Sequence, residues 1–331
     1  MKIVVLGSGG WGTALSTVLI GNGHSVTLWA PFPEEAEQLQ RERENPFLPG
    51  VPLPDELTVT HDMSCLRSAG LVVVAPPSFH VRETARQMRE LLPPEALVVS
   101  VSKGVELETS LRLSQVIRSE IGEGNPIVVL SGPSHAEEVG RGIPTACVAA
   151  CEESAAAETV QDVFMSSRFR VYVGTDVIGA ELGGALKNII ALCCGICDGI
   201  GLGDNTKAML MTRGLAEMVR LGVAMGAKSE TFLGLTGMGD MIVTCTSMHS
   251  RNRRAGILIG QGRTPDEAVR EVGSTVEGYY AAAAARKLAR SAGVEMPIVE
   301  ATCRLLYEHA GLEETMHELM ERPRRHEEEI S

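Results

Sequence analysis

The chain is 331 residues long and carries 42 acidic against 30 basic side chains, a formal charge of −12. At roughly 150 residues per domain that length suggests two domains, and so acidic a body repels phosphodiester backbones, which argues against a nucleic-acid partner. Its 35 glycines and 4% aromatic content suit tight strand-to-helix turns and close helix packing rather than a disordered or fibrous chain.

After Lys2 the stretch from Ile3 to Gly23 is uncharged and superficially resembles a secretory leader. Gly7-Ser8-Gly9-Gly10 breaks its apolar run. The longest apolar run elsewhere, about Ile189 to Cys197, falls short of the ~20 residues a membrane span needs. The expectation is a soluble cytoplasmic chain without a membrane span.

Up to about residue 178, short β-branched runs alternate with helical patterns. Six strands are predicted: Ile3–Leu6, Val26–Trp29, Leu71–Ala75, Leu97–Val101, Ile127–Leu130 and Thr145–Ala150. Runs this apolar on both faces belong in a parallel sheet covered by helices, so residues 1–178 read as an α/β, doubly wound Rossmann-type domain. From 179 to 331 the pattern is helical, with segments predicted at 179–198, 204–225, 264–272, 276–292 and 297–310. The tail from Glu313 reads as a docked surface helix with a frayed end.

Directly after the first strand stands Gly7-Ser8-Gly9-Gly10-Trp11-Gly12, a G-x-G-x-x-G that opens a helix. The glycines allow the tight turn, the approach of backbone to a pyrophosphate and helix-on-strand packing, while the helix N-terminus faces the anion. The context, strand before and helix after, is the one a dinucleotide site requires. The second strand normally ends in an acid for a ribose hydroxyl or lies near Arg for a 2′-phosphate. Here it ends in Trp29-Ala30-Pro31-Phe32, with Glu34 and Glu35 assigned to the next helix, so NAD and NADP both stay open.

Beyond other strand ends lie Pro76-Pro77, Lys103-Gly104 and Ser131-Gly132-Pro133-Ser134. Lys103 is either a solvated loop lysine or part of a site. In the helical half, Gly184, Asn188, Ala191 and Gly195 share one helix side, narrow enough for a backbone or ligand to approach. Lys187 stands beside it, either snorkelling or desolvated enough to act as a general base. Asp240, in Gly234-Leu235-Thr236-Gly237-Met238-Gly239-Asp240, is either a helix cap or a partner that orients a lysine. The run from Thr244 through Ser250-Arg251-Asn252-Arg253-Arg254 reads as a loop entering a helix, with the hydroxyl, amide and guanidinium donors that suit a phosphate. Among eight cysteines, Cys193-Cys194-Gly195-Ile196-Cys197 contains a C-x-x-C, but it lies in an apolar helix with no second ligand pair at zinc spacing, so it reads as helix core.

Together these segments resemble the bacterial-type NAD(P)-dependent glycerol-3-phosphate dehydrogenase family. The likeness runs through GSGGWGTAL from Gly7, NPFLPGVPLP from Asn45, SKGVE from Ser102, LSGPSHAEE from Leu130, ELGGALKNIIA from Glu181, DGIGLGDNTKA from Asp198, TRGLAEM from Thr212, GLTGMGDMIVTCTSMHSRNRR from Gly234 and TVEG from Thr275. It implies interconversion of sn-glycerol 3-phosphate and dihydroxyacetone phosphate by hydride transfer with NAD or NADP, supply of glycerol 3-phosphate for phospholipid synthesis, and a homodimer. It further implies that Lys187 is the proton acceptor or donor, with Lys103 and Asp240 completing the polar cluster at the reacting oxygen. Gly132 and Ser134 would contact substrate, and Ser250, Arg251 and Asn252 would hold its phosphate. Gly7, Gly9, Gly10, Trp11, Gly12, Lys103, Ala136, Arg251, Thr275 and Glu277 would line the cofactor; no metal is implied. The chain departs from the family at Ala30-Pro31-Phe32, where relatives often carry Arg or His, which makes NADH use more plausible. A hydroxy-acid reductase would need a carboxylate clamp in place of the phosphate-like cluster. A catalytically silent dinucleotide sensor would be expected to lose Lys187, Asp240 or Arg251.

Overall fold

The computed structural model describes residues 1–323 and 326. The chain separates into two compact units, one made of Met1–Lys103 and Arg112–Val177, the other of Gly104–Leu111 and the chain from Ile178 onward. Gly104–Leu111, which the sequence reading places with the first half, groups with the helices: Lys287 Nζ donates to the carbonyl oxygens of Leu107 and Glu108.

The first unit holds eight strands: β1 (Lys2–Leu6), β2 (Ser25–Trp29), β3 (Thr58–Thr60), β4 (Leu71–Val74), β5 (Leu97–Ser100), β6 (Ile127–Ser131), β7 (Thr145–Ala150) and β8 (Phe169–Gly174), in the order β3-β2-β1-β4-β5-β6-β7-β8. All six predicted strands are present. Two were not predicted: β3 is only three residues long, and β8 begins with the buried–exposed alternation of an edge strand rather than an apolar run. The sheet is parallel as expected except at one pairing, where β7 runs antiparallel to β6 and carries β8 with it. Strands β4 to β6 are buried at every residue, as strands covered on both faces must be. This is a doubly wound, Rossmann-type sheet. Chain order reverses at β1, so the crevice beyond the carboxyl ends of β1 and β4 is where such a sheet receives a ligand.

Gly7 sits at that crevice. Its φ of +114° is strained for any residue with a side chain, and a Cβ there would lie 2.9 Å from the carbonyl carbon of Ala75, just past β4. The turn is braced from beneath by Asn45, 1% exposed, whose Nδ2 donates to the Ser8 carbonyl at 2.8 Å and to Thr13 Oγ1 at 2.7 Å while its Oδ1 accepts from the Phe47 amide.

The second unit is helical and built around Val177–Ile200. By length and composition this helix is apolar enough to cross a membrane, the only such helix among the described residues, but 83% of its most apolar window is buried in the protein. The helix answers to the predicted segment 179–198; its span-length apolar character is masked in the sequence because Glu181, Lys187 and Asp198 interrupt the run. It crosses the helix Arg251–Gly260 almost backbone to backbone: a Cβ on Gly195 would fall 2.1 Å from the Arg253 carbonyl oxygen, and one on Gly256 would fall 2.1 Å from that of Leu192. Gly195→Ala should therefore push the helices apart and destabilise the unit by roughly 1–3 kcal/mol, read as a lower urea midpoint; an unchanged midpoint would show that the crossing can relax.

Of the remaining helices, Asp204–Ala224, Pro265–Val272, Glu277–Ala292 and Pro297–Tyr307 answer to predicted segments, and Leu312–Met320 is the expected tail helix. The frayed end predicted after it falls largely on residues 324–325 and 327–331, outside the described residues. The cysteine cluster packs as core. Burial pushes the Cys193 thiol up to about 12 and Cys197 up to about 11, and hydrogen bonding to Cys245 together with burial raises Cys194, so all three stay protonated and unreactive at neutral pH.

Glu217, 3% exposed, reaches from one helix to cap another, accepting from the Ile298 amide at 2.7 Å and the Val299 amide at 3.3 Å. Burial pushes its carboxyl up to about 7, against those backbone donors, which lower it. Because the folded value lies above the unfolded one, its contribution to stability is complete below about pH 4.5 and declines as pH rises to about 7. A shift of that size corresponds to roughly 3 kcal/mol. Glu217→Gln should flatten this decline in urea unfolding followed across the same pH window; an equally steep decline in the variant would assign it to other groups.

Candidate active site

In the first unit, the glycine-rich turn feeds the helix Gly10–Gly21, whose N-cap is Gly9 and whose first turn carries neither a side-chain cap nor an acidic residue. Nothing lies within 4 Å of where a Gly9 Cβ would be, so the donor-rich helix end opens outward. Gly10 and Gly12 are close-packed instead: a Cβ would fall 2.5 Å from the Phe47 carbonyl oxygen at Gly10 and 2.1 Å from that of Gly7 at Gly12. Trp11 presents a buried Nε1–H with no hydrogen-bond partner in the protein. An uncapped helix N-terminus, an open glycine face and a waiting indole donor fit a dinucleotide's pyrophosphate. Ala136, at the start of the short helix Ala136–Gly140, packs against Gly10, 3.7 Å from the position of its Cβ.

On the same unit, beyond β5 and β6, Lys103 Nζ donates to the Gly132 carbonyl at 2.9 Å and reaches Ser134 Oγ at 3.5 Å, while Ser134 Oγ donates to that same carbonyl at 3.0 Å. Lys103 thus joins Gly132 and Ser134, 29 and 31 residues further along the chain, in one cluster. Gly132 is confined by β7: with φ +152°, a Cβ would lie 2.9 Å from the Ala146 carbonyl oxygen.

In the helical unit, Lys187 is 5% and Asp240 1% exposed. Lys187 Nζ donates to Asp240 Oδ1 at 2.5 Å and to Thr244 Oγ1 at 2.6 Å, and Thr244 Oγ1 donates to the Asp240 carbonyl at 2.6 Å. Asp240 arrives there through a π-type turn, Leu235–Gly239, closed by the Gly239 amide on the Gly234 carbonyl and followed by the helix Asp240–Thr246. Such turns recur at functional sites. Gly183 lets the π-turn approach, since its Cβ would lie 2.5 Å from the Thr236 carbonyl oxygen; the predicted small-residue stripe began one position later, at Gly184. Of the two readings open for Asp240, the cap is excluded: the N-cap is Gly239, and the carboxylate is engaged by the lysine. Lys187 does not snorkel.

A second relay lies in the same unit. Asn252 Nδ2 donates to Asn188 Oδ1 at 2.9 Å, and Asn252 Oδ1 accepts from the Gly278 amide at 2.8 Å. This ties the start of the helix Arg251–Gly260 to that of Glu277–Ala292, bringing Thr275 and Glu277, both half-buried, into the same neighbourhood as Asn252. Ser250 is buried and N-caps its helix, its Oγ accepting from the Arg253 amide at 3.2 Å. Of the basic run, Arg253 is held by Asp198, with Nη2 to Oδ2 at 2.7 Å. Arg251 and Arg254 are exposed.

Two family models match the chain: the NAD-dependent glycerol-3-phosphate dehydrogenase N-terminus over residues 2–157 and its C-terminus over residues 176–317. A glycerol-3-phosphate dehydrogenase [NAD(P)+] of Moorella thermoacetica is 54% identical over 98% of this chain and 97% of its own length. The chain belongs to the NAD(P)-dependent glycerol-3-phosphate dehydrogenase family. A second relative of that name, from Pelotomaculum thermopropionicum, is 52% identical over 98% of this chain and 95% of its own. The crystal structure of glycerol-3-phosphate dehydrogenase from Coxiella burnetii superposes with a TM-score of 0.93 at 38% identity, covering 97% of this chain and 99% of that one. The chain is accordingly an oxidoreductase that uses NAD or NADP.

The contacts of three residues of this dehydrogenase escape the sequence reading, which has Thr244 only as the start of the phosphate-like run. Thr244 follows Asp240 by one helical turn, and that i, i+4 spacing was the available signal. Asn188, read only as part of a small helix face, is the acceptor that orients Asn252. Asn45, which braces the nucleotide turn from 37 residues away, opens a segment singled out by the family resemblance alone, with no local chemical signal of that contact.

Proposed function

We propose that the protein interconverts sn-glycerol 3-phosphate and dihydroxyacetone phosphate, supplies the former to phospholipid synthesis, and works in the cytoplasm as a homodimer. The division of labour would follow the domains, residues 1–178 for the dinucleotide and 179–331 for the substrate. When bound, the nicotinamide cofactor supplies or accepts the hydride. The observation that carries the reading is the buried Lys187 Nζ, held by Asp240 and Thr244.

On this reading Lys187 Nζ receives the C2 hydroxyl proton of glycerol 3-phosphate and returns it when dihydroxyacetone phosphate is reduced. Asp240 and Thr244 hold that nitrogen in place. Arg251, exposed at the first position of its helix, and the helix amides bind the substrate phosphate, with bidentate guanidinium donors suited to a dianion. Ser250 and Asn252 already use hydrogen bonds to Arg253, Asn188 and Gly278, so their contribution is chiefly to set the cradle's shape. The family resemblance adds Lys103, Gly132 and Ser134 as substrate contacts. Gly7 to Gly12 and Ala136 receive the cofactor; Thr275, Glu277, Lys103 and Arg251 are cofactor residues by the family resemblance alone.

The test is oxidation of NADH and of NADPH by the purified protein with dihydroxyacetone phosphate present or absent. Phosphate-ester-dependent turnover is expected. Nucleotide binding without such turnover would remove the substrate assignment and move weight to a silent dinucleotide binder.

A further inference from the structure

At the sheet edge where β1 and β2 end, Ser8 Oγ, inside the glycine-rich turn, donates to Glu35 Oε1 at 2.5 Å. Ser8 is 3% exposed. Glu35 lies in the first turn of the helix Pro33–Glu42, whose N-cap is Phe32 and whose only first-turn charges are Glu34 and Glu35. The register brings these loops together: the Gly7 amide donates to the Trp29 carbonyl at 3.0 Å and the Ala30 amide to the Thr60 carbonyl at 2.9 Å. The sequence leaves this edge without the acid expected at the end of β2. The fold supplies one from six residues further on, turned back over the phosphate-binding loop.

The basic side chains nearby in sequence do not offset it. Arg43 donates to the carbonyl oxygens of Pro54, Asp55 and Leu57. Arg41 pairs with Glu42 at the far end of the helix, eight residues and so about 12 Å along the axis from Pro33. His61, which follows β3, stands beside Asp62, and the two carboxyl-terminal loops together add no net positive charge.

We propose that Glu35, positioned by Ser8, selects the cofactor, and that this chain takes NADH in preference to NADPH. A carboxylate held at the edge of the glycine-rich turn accepts hydrogen bonds from ribose hydroxyls and repels a ribose phosphate, which carries up to two negative charges into the same space. Ser8 removes the cost of ordering that carboxylate when the nucleotide arrives. The inference rests on the dinucleotide reading of the first unit.

The experiment compares NADH with NADPH, and ADP-ribose with its 2′-phosphorylated form, by fluorescence titration and by ligand-induced melting shifts, so no turnover is needed. For the unaltered protein the Kd for NADH should be at least about tenfold below that for NADPH. In Glu35→Gln the ratio should fall severalfold, mainly because NADPH binds more tightly, and Glu35→Arg should bring it to one or below. Ser8→Ala should weaken NADH binding more than NADPH binding. Equal or tighter binding of NADPH by the unaltered protein, or a ratio unmoved in both Glu35 variants, overturns the proposal while leaving the dinucleotide site intact. Failure to bind either nucleotide overturns both.

Discussion

Lys187→Ala should lower kcat for dihydroxyacetone phosphate reduction by roughly a thousandfold or more while NADH binding to the α/β unit stays within a few fold of normal. The magnitude is that of losing a positioned acid–base group, about 10² to 10⁴, and the selectivity follows from structure. Lys187 belongs to the helical unit and the glycine-rich turn to the other. Its Nζ is 53 residues from Asp240 in sequence yet 2.5 Å away in space, and both residues are buried. Steady-state kinetics and nucleotide titration on the same preparation check it. Turnover near the unaltered rate would remove Lys187 from the mechanism, and loss of nucleotide binding would point to a folding defect instead.

Asp240→Ala is expected to be the more damaging change to stability. It leaves a buried ammonium without its carboxylate, Thr244 Oγ1 still accepting from it, and breaking one side of a buried pair costs about 3–5 kcal/mol. Melting of the helical unit should fall by roughly 10 °C. Replacing both members, Lys187→Met with Asp240→Leu, removes the uncompensated charge and should recover most of that loss without restoring turnover. The contrast separates a pair kept for chemistry from one kept for stability. An Asp240→Ala protein that melts like the original would show that water reaches the ammonium.

Much of the molecule is legible without a structure because the relevant forces act locally. The glycine-rich turn is read from six neighbours in sequence, and the strand before it and helix after it complete the signal. β4, β5 and β6 announce themselves because strands buried on both faces must be apolar throughout. β8 does not: its alternating pattern suits an edge but resembles a loop, and the reversal of β7 depends on which strand it meets. The helix Asp240–Thr246 is concealed by the glycines that precede it, which read as a turn and fold as a π-turn because Gly183 leaves room for the Thr236 carbonyl.

The sequence by itself determined the class of chemistry: a strand–glycine turn–helix unit for a dinucleotide, a helical half carrying a lysine in apolar surroundings, and donors for a phosphate at a helix start. Residue type and short-range spacing suffice for that, since turn geometry, helix dipoles and amphipathic periodicity are properties of neighbouring residues. Only the tertiary structure decided which charges meet. Lys187 with Asp240, Asn252 with Asn188 and Gly278, Glu217 with a distant helix start, and Glu35 with Ser8 are pairings across tens of residues. Burial makes each of them matter, because a polar group removed from water must find a partner, and the partner is whatever the packed chain brings within about 3 Å.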